Sequence, residues 1–254
     1  MSFALSLRSE MLKTKRTASF YLTLFAAAFG PLVTILEIMS EGLQKNDKTK
    51  ILNILFIEEF QVTGILSLPL FLMLICTLLP QIEYRNNTWK QVLITPETKA
   101  SIYFSKFMVI QQLTVAFFII NLLFTFVCAV LLHVKHFSWH VLIQPLDWYE
   151  VIMLRMNSYI VLLGFCTIQF WLGLRFKNFI APITIGVACY VAGAIIVMQL
   201  SPGKILYLPY TLVFYNGMPE YASYVSGLNW YSIGYTLAFL SIGYFDFRNK
   251  NMVG

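Results

Sequence analysis

The stretch Glu83–Lys106, EYRNNTWKQVLITPETKASIYFSK, is a polar island between two long apolar runs. Phe60–Ile82 before it and Phe107–Val134 after it contain no Asp, Glu, Lys or Arg. Each run is long enough for a helix to cross a bilayer, which takes ~20 apolar residues for ~30 Å of hydrocarbon at ~1.5 Å per residue. The runs are continuous and do not alternate apolar with polar, so they read as helices and not as barrel strands. The island then lies at one face of a membrane, joining two antiparallel spans.

The rest of the chain agrees. Of its 254 residues 58% are hydrophobic and 12% charged, and the mean hydropathy is +0.71; a soluble domain carries roughly 25% charged residues. Charge-free windows recur at Thr17–Leu36, Met156–Leu174, Asn178–Gly203 and Tyr221–Phe245, making six with the two around the island. The predicted fold class is all-α: a polytopic membrane protein with six transmembrane helices in one domain over residues 1–254. The spans are placed at 17–38, 60–80, 107–132, 156–174, 179–200 and 228–246.

Six spans leave both termini on one side, and the basic residues choose which. With the termini inside, the inner segments hold twelve of the 18 Lys and Arg residues and four of the 12 Asp and Glu residues. This positive-inside bias predicts a multi-pass protein of the cytoplasmic membrane with N- and C-termini cytoplasmic. It also accounts for the net charge of +6. No basic face with interleaved aromatics stands out, so nucleic acid is not an expected partner.

Residues 1–16 read as an interfacial amphipathic helix. Phe3, Leu7 and Met11 share one face, and Arg8, Lys13, Lys15 and Arg16 are placed to meet lipid headgroups. A cleaved signal peptide is disfavoured because the following run exceeds an ordinary h-region of ~7–15 residues. The loop Glu37–Glu59 carries no recognisable chemistry, and Glu58 and Glu59 read as a solvated helix end. Arg155 is expected to snorkel outward at the edge of the fourth span.

Asn121, Gln111, Gln112 and Gln169 are intramembrane and expected to face the bundle or a partner. Gly186 and Gly193 make the fifth helix a candidate contact helix for another subunit. The segment 204–220, broken by Pro209, Asn216-Gly217 and Pro219, is too short to span and reads as a re-entrant or interfacial element outside.

Chemistry is sparse. Cys76, Cys128, Cys166 and Cys189 each sit inside a different apolar run and read as small core residues. His133, His136 and His140 could line one helical face, as zinc ligands do, but Trp139, Trp148 and Tyr149 nearby favour an interfacial belt, so no metal is expected. Without GxxxxGK[ST], HExxH or GxSxG, the chain is not expected to bind nucleotide in the usual way or to act as an enzyme.

Within the island, Gln81–Val92 reads as a short helix with Glu83, Arg85, Asn86, Asn87 and Lys90 exposed and Tyr84, Trp89 and Val92 on the less polar side. Thr95-Pro96-Glu97 is a start signal for a second helix, with a hydroxyl cap, a proline whose missing N–H costs nothing in the first turn, and an acid near the N-terminal dipole.

A basic amphipathic N-terminal helix, six spans, and after the second span a Glu, a helix, a Thr-Pro step and a Lys at the next membrane entry resemble the permease subunits of ABC-2 type transporters. The residues that carry the resemblance are Glu83, Thr95, Pro96 and Lys106. In size the chain is similar to stand-alone permeases of bacterial drug and lantibiotic-immunity systems, although many members have glycine or alanine where this chain has Asn87. The resemblance implies a cytoplasmic coupling region at 81–105 and an external re-entrant segment. It implies a separate ABC ATPase subunit that binds the ATP, so the permease needs no cofactor of its own. It also implies a second permease as homo- or heterodimer partner, and outward movement of an amphipathic substrate such as a drug, an antimicrobial peptide or a lipid-like molecule. By the same resemblance Glu83, Tyr84, Arg85, Trp89, Lys90, Thr95 and Pro96 would form the surface that couples to the ATPase. From the residues alone an intramembrane enzyme, or a scaffold or sensor subunit, stays open.

Overall fold

The computed structural model describes residues 3–14, 17–41, 50–86, 89, 97–135, 140–199, 207–218 and 225–249. Among them every regular element is helical. The helices are α1 Phe3–Thr14, α2 Ala18–Glu41, α3 over residues 51–65, α4 Ser67–Arg85, α5 Lys99–Lys135, α6 Trp148–Arg175, α7 Ile180–Gln199, α8 Pro209–Gly217 and α9 Val225–Asn249. Five of them, α2, α4, α5, α6 and α7, are long and apolar enough to cross a membrane. α9 has 25 residues, but Asn229 and its Ser, Tyr and Gly residues hold its apolarity below that of the five.

The bundle is built around α6, which packs against α9, α4 and α8. Val161, Leu162, Phe165, Cys166 and Phe170 of α6 join Phe71, Cys76, Tyr103 and Phe117 in the main core. α2 lies along α5, while its Phe20, Tyr21, Leu24, Phe25 and Leu36 face outward, as lipid-facing positions should. A second core, with Ile35, Leu55, Phe56, Cys128 and Val151, closes the end of the bundle remote from α1. We call the two ends the α1 end and the far end.

Prolines shape the spans by freeing carbonyls, and at Pro69 and Pro31 the freed carbonyl takes another donor. Pro69 has no N–H to offer Ile65 O, and the Tyr190 hydroxyl of α7 donates to that oxygen instead. Pro31 likewise leaves Ala27 O, which accepts from Asn121 Nδ2 at 3.2 Å. Pro80 frees Cys76 O, and there α6 comes so close that a Cβ on Gly173 would lie 2.3 Å from the oxygen. Buried hydroxyls of Thr23, Thr77, Thr114 and Thr125 donate to carbonyls one turn back, which makes them tolerable in an apolar interior.

Several sequence expectations change here. The segment before the second span is helical from Ile51, where a loop was expected. A π-helical turn at Ile54–Glu58 is followed by burial of Glu59 and Phe60, while Glu58 stays outside. Glu59 is therefore not a solvated end; it bonds Thr63 and Asn121 inside the bundle. Arg155 does not snorkel either: it is buried, lies over the Phe60 ring and donates to Phe56 O. The fifth-helix glycines, expected at an outer contact, point inward, Gly186 toward Gln169 and Gly193 toward Tyr210. Pro209 starts α8, a short buried helix against α6 and α7, within the segment read as re-entrant.

Candidate functional site: a charged latch at the α1 end

α1 presents Ser6, Glu10 and Thr14 inward, one turn apart, and leaves Phe3, Leu5, Met11 and Leu12 exposed. The polar stripe is thus the one that packs onto the protein. It meets α5, which begins at Lys99 with Thr98 Oγ1 accepting from Ser101 N at 3.1 Å. A helix of 37 residues rises about 55 Å, well beyond one bilayer, so its first two turns, with Ser105 and Lys106, belong to the end and not to the span.

Lys106 is 2% exposed, and a buried ammonium needs carboxylates around it. Its Nζ lies 2.6 Å from Glu83 Oε1 on α4 and 2.8 Å from Glu10 Oε2 on α1. Lys13, at the rim, completes a neutral foursome at 2.5 Å from Glu10 Oε1 and 3.2 Å from Glu83 Oε1. Beside this ring the Ser6 hydroxyl contacts Ser105 at 3.1 Å and donates to Glu97 Oε2 at 2.8 Å. Burial works to raise the Glu10 carboxyl, but the ammoniums of Lys106 and Lys13 outweigh it and hold the group below its ordinary value. For Lys13 burial works downward and Glu10, with Glu83, wins in the opposite direction, so the ammonium is held above its ordinary value.

The predicted coupling residues divide sharply. Glu83, expected exposed, is 1% exposed because it is spent on Lys106 and Lys13. Trp89 is buried beneath Lys106, whose Nζ is 5.5 Å from the ring centroid, between Tyr84 at 5.3 Å and Phe247 of α9 at 5.8 Å. Tyr84 donates its hydroxyl to Leu174 O at 2.8 Å and Gln81 donates to Phe176 O at 3.0 Å, so α4 satisfies the end of α6. Arg85 is exposed, and Lys90, Thr95 and Pro96 lie outside the described residues. The described helix start is capped by Thr98, three residues after the hydroxyl expected to do so.

Other ties close the same end. Lys99 Nζ donates to Arg248 O at 2.7 Å, Trp171 Nε1 donates to Asp246 Oδ2 at 3.1 Å, and Arg175 pairs with Asp246. Next to them a cleft of about 800 Å³ is lined by Arg85, Lys177, Gln81, Asn86 and Ser19 among others. The sequence reading missed Ser6, Glu10 and Phe247. The signal for the first two was present: an acid at helical spacing between hydroxyls in an otherwise basic helix.

One junction therefore gathers α1, the end of α4, the start of α5 and the tail of α9, with an exposed basic rim. Residues 6–193 match the model of the ABC-2 family transporter protein family. The chain belongs to the ABC-2 transporter family. No curated protein and no solved structure matches it. As an ABC-2 permease it is a multi-pass membrane component of an ABC transporter, of a family that normally works with an ABC ATPase and is generally non-enzymatic itself. The matched residues include the whole latch except the α9 side.

Proposed function

We propose that the α1 end is the cytoplasmic face, that α9 is the sixth span, and that the junction at Lys106 passes the motion of an ATP-hydrolysing partner to the spans. The observation that carries this is the buried Lys106 pairing with both Glu10 and Glu83. A push on the 83–106 stretch cannot move α4 without moving α5 and α1, because separating them strands charges out of water. The docking surface is then Arg85, Asn86 and the residues that follow, including Lys90, Thr95 and Pro96. Glu83, Tyr84 and Trp89 form its rigid base. ATP is bound by the partner and the permease carries no cofactor.

On this reading the protein works with a second permease copy or a related chain and moves an amphipathic substrate outward, as drug or lantibiotic-immunity permeases do. Its contribution is a difference in substrate affinity between two conformations, which the partner's ATP cycle alternates. The test is reconstitution with the ATPase. Arg85→Glu on the surface and Lys106→Met beneath it are each expected to lower substrate-stimulated ATP hydrolysis. Only Arg85→Glu is expected to weaken co-purification. Full stimulation in both variants would sink the proposal.

A further inference from the structure

The far half of the bundle holds a carboxylate that the latch does not use. Glu59 is 3% exposed. Its Oε1 accepts from Thr63 Oγ1 at 2.5 Å and lies 3.5 Å from Asn121 Nδ2, while Oε2 is buried without a hydrogen-bond partner among the described residues. Arg155 does not pair with it directly. The guanidinium lies 4.3 Å from the centroid of Phe60, donates to Phe56 O and Val151 O, and reaches Asn121 Oδ1 at 3.5 Å. An amide thus stands between the acid and the base, and one carboxylate oxygen is left for a further cation. A buried carboxylate is costly to keep without one.

Glu59 also lines a cleft of about 310 Å³ between α2 and the α3–α4 bend. Phe29, Val33, Val62 and Leu66 form its walls and are themselves exposed on the outer surface of the bundle, where lipid tails would lie. Thr63 and Ser67 bring hydroxyls, and a second acid, Glu37, stands exposed at the mouth. The lining contains no Lys or Arg. Gly30 makes the floor possible: a Cβ there would lie 2.1 Å from both Glu59 Oε1 and Thr63 Oγ1. Apolar walls, two acids and no base select a molecule with an apolar body and a positive head.

We infer that this cleft binds amphipathic cations, with an ammonium at Glu59 and the tail along Phe29, Val33, Val62 and Leu66. That the occupant is cargo rests on the permease function proposed above; the binding itself does not. The shared chemistry, an ammonium on an apolar tail, fits a free alkylamine or the ethanolamine head of a phospholipid.

The test uses the full chain in phosphatidylcholine nanodiscs, titrated with dodecylammonium bearing a fluorophore at its tail end and with the matching dodecanol. The wild type is expected to bind the ammonium at least about tenfold more tightly than the alcohol, since a charge-assisted contact outweighs a neutral one. Glu59→Gln, which keeps the shape and the bonds to Thr63 and Asn121, should remove that preference and leave the alcohol unchanged. Val62→Trp, at an exposed wall, should weaken both probes and carries the test if Glu59→Gln does not elute as a folded species. Replacing part of the lipid by phosphatidylethanolamine decides the occupant: competition supports the lipid head, and its absence supports the free amphiphile. Equal affinity of both probes for the wild type, or unchanged binding in both variants, overturns the site. Failure of the permease reading looks different, with the ammonium preference intact and the ATPase unstimulated by the chain.

Discussion

The Lys106 ammonium lies 2.6 Å from the Glu83 carboxylate, 23 residues apart in sequence and both out of water, where α4 ends and α5 begins. This pair, with Glu10 and Lys13 around it, turns a connection between two spans into a junction of three helices.

Such a pair is costly to break from one side. Lys106→Met leaves Glu83 and Glu10 facing each other with only the rim lysine, and should destabilise the protein by ~3–5 kcal/mol, the usual cost of stranding a buried charge. Combining it with Glu83→Gln removes most of the stranded charge and should recover more than half of the loss. Thermal unfolding of the four proteins in detergent gives the coupling. Additive losses would mean that the two side chains do not depend on each other.

The latch also responds to pH. Glu10 is held below its ordinary carboxyl value when folded, so its contribution is fully present above the unfolded value of ~4.5 and fades as pH falls through the lower folded value. Lys13, held above its ordinary value, contributes below ~10.5 and loses this only in stronger base. Protection of the α1 amides, each exchange rate taken against its intrinsic value at that pH, should therefore be flat between pH 5 and 9 and fall, relative to α6, on acidification toward pH 3. Glu10→Gln should show fast exchange in α1 already at neutral pH and no further acid step from this group.

How much of this was legible follows from where each signal lives. Apolar runs are local, and those around 83–106 display themselves openly; α4 stops at Arg85 and α5 at Lys135, where charge returns, while the starts of both helices lie away from the edges of the runs. The inside of the latch is not local, because Glu83 reads as solvated until Glu10 and Lys106 are brought together by folding. Glu59 misled for the same reason. Next to Glu58 it looks like a wet helix end, and only the π-helical turn and Asn121, 62 residues on, explain why one acid is out and its neighbour in. Pro209 was legible as a breaker, but the parts that Pro69 and Pro31 play inside the bundle, with Tyr190 and Asn121 as the donors to the carbonyls they free, were not.

The Pro69 site can be tested by giving the freed carbonyl a different donor. Tyr190→Phe leaves Ile65 O buried without its hydroxyl and should cost ~1–3 kcal/mol, the penalty for an unmet polar group. In a Pro69→Ala background the new backbone N–H can reach Ile65 O, so the same Tyr190→Phe change should cost less than ~1 kcal/mol. Thermal unfolding of the single and double variants decides it. An equal loss in both backgrounds would show that the Tyr190 hydroxyl does not contribute by meeting the carbonyl that Pro69 frees.

The last prediction concerns which helices move together. Cys76 Sγ of α4 and Cys166 Sγ of α6 lie 3.6 Å apart, both buried, so a membrane-permeant oxidant needs only a small approach to reach the ~2.05 Å of a disulfide. Oxidation should lower the number of alkylatable thiols by two, and Cys166→Ser should abolish the drop. The same two helices touch backbone to backbone at Gly173 and Cys76 and are tied again by Tyr84 and Gln81 at the α1 end. Close-packed backbones do not slide continuously past one another, so α4 and α6 should move as one body. The bend at Leu66, between α3 and α4, then supplies the freedom. Cross-linked protein is accordingly expected to keep its stimulation of the partner ATPase. A loss of stimulation on oxidation, restored by reductant and absent in Cys166→Ser, would show instead that α4 shifts along α6 during the cycle.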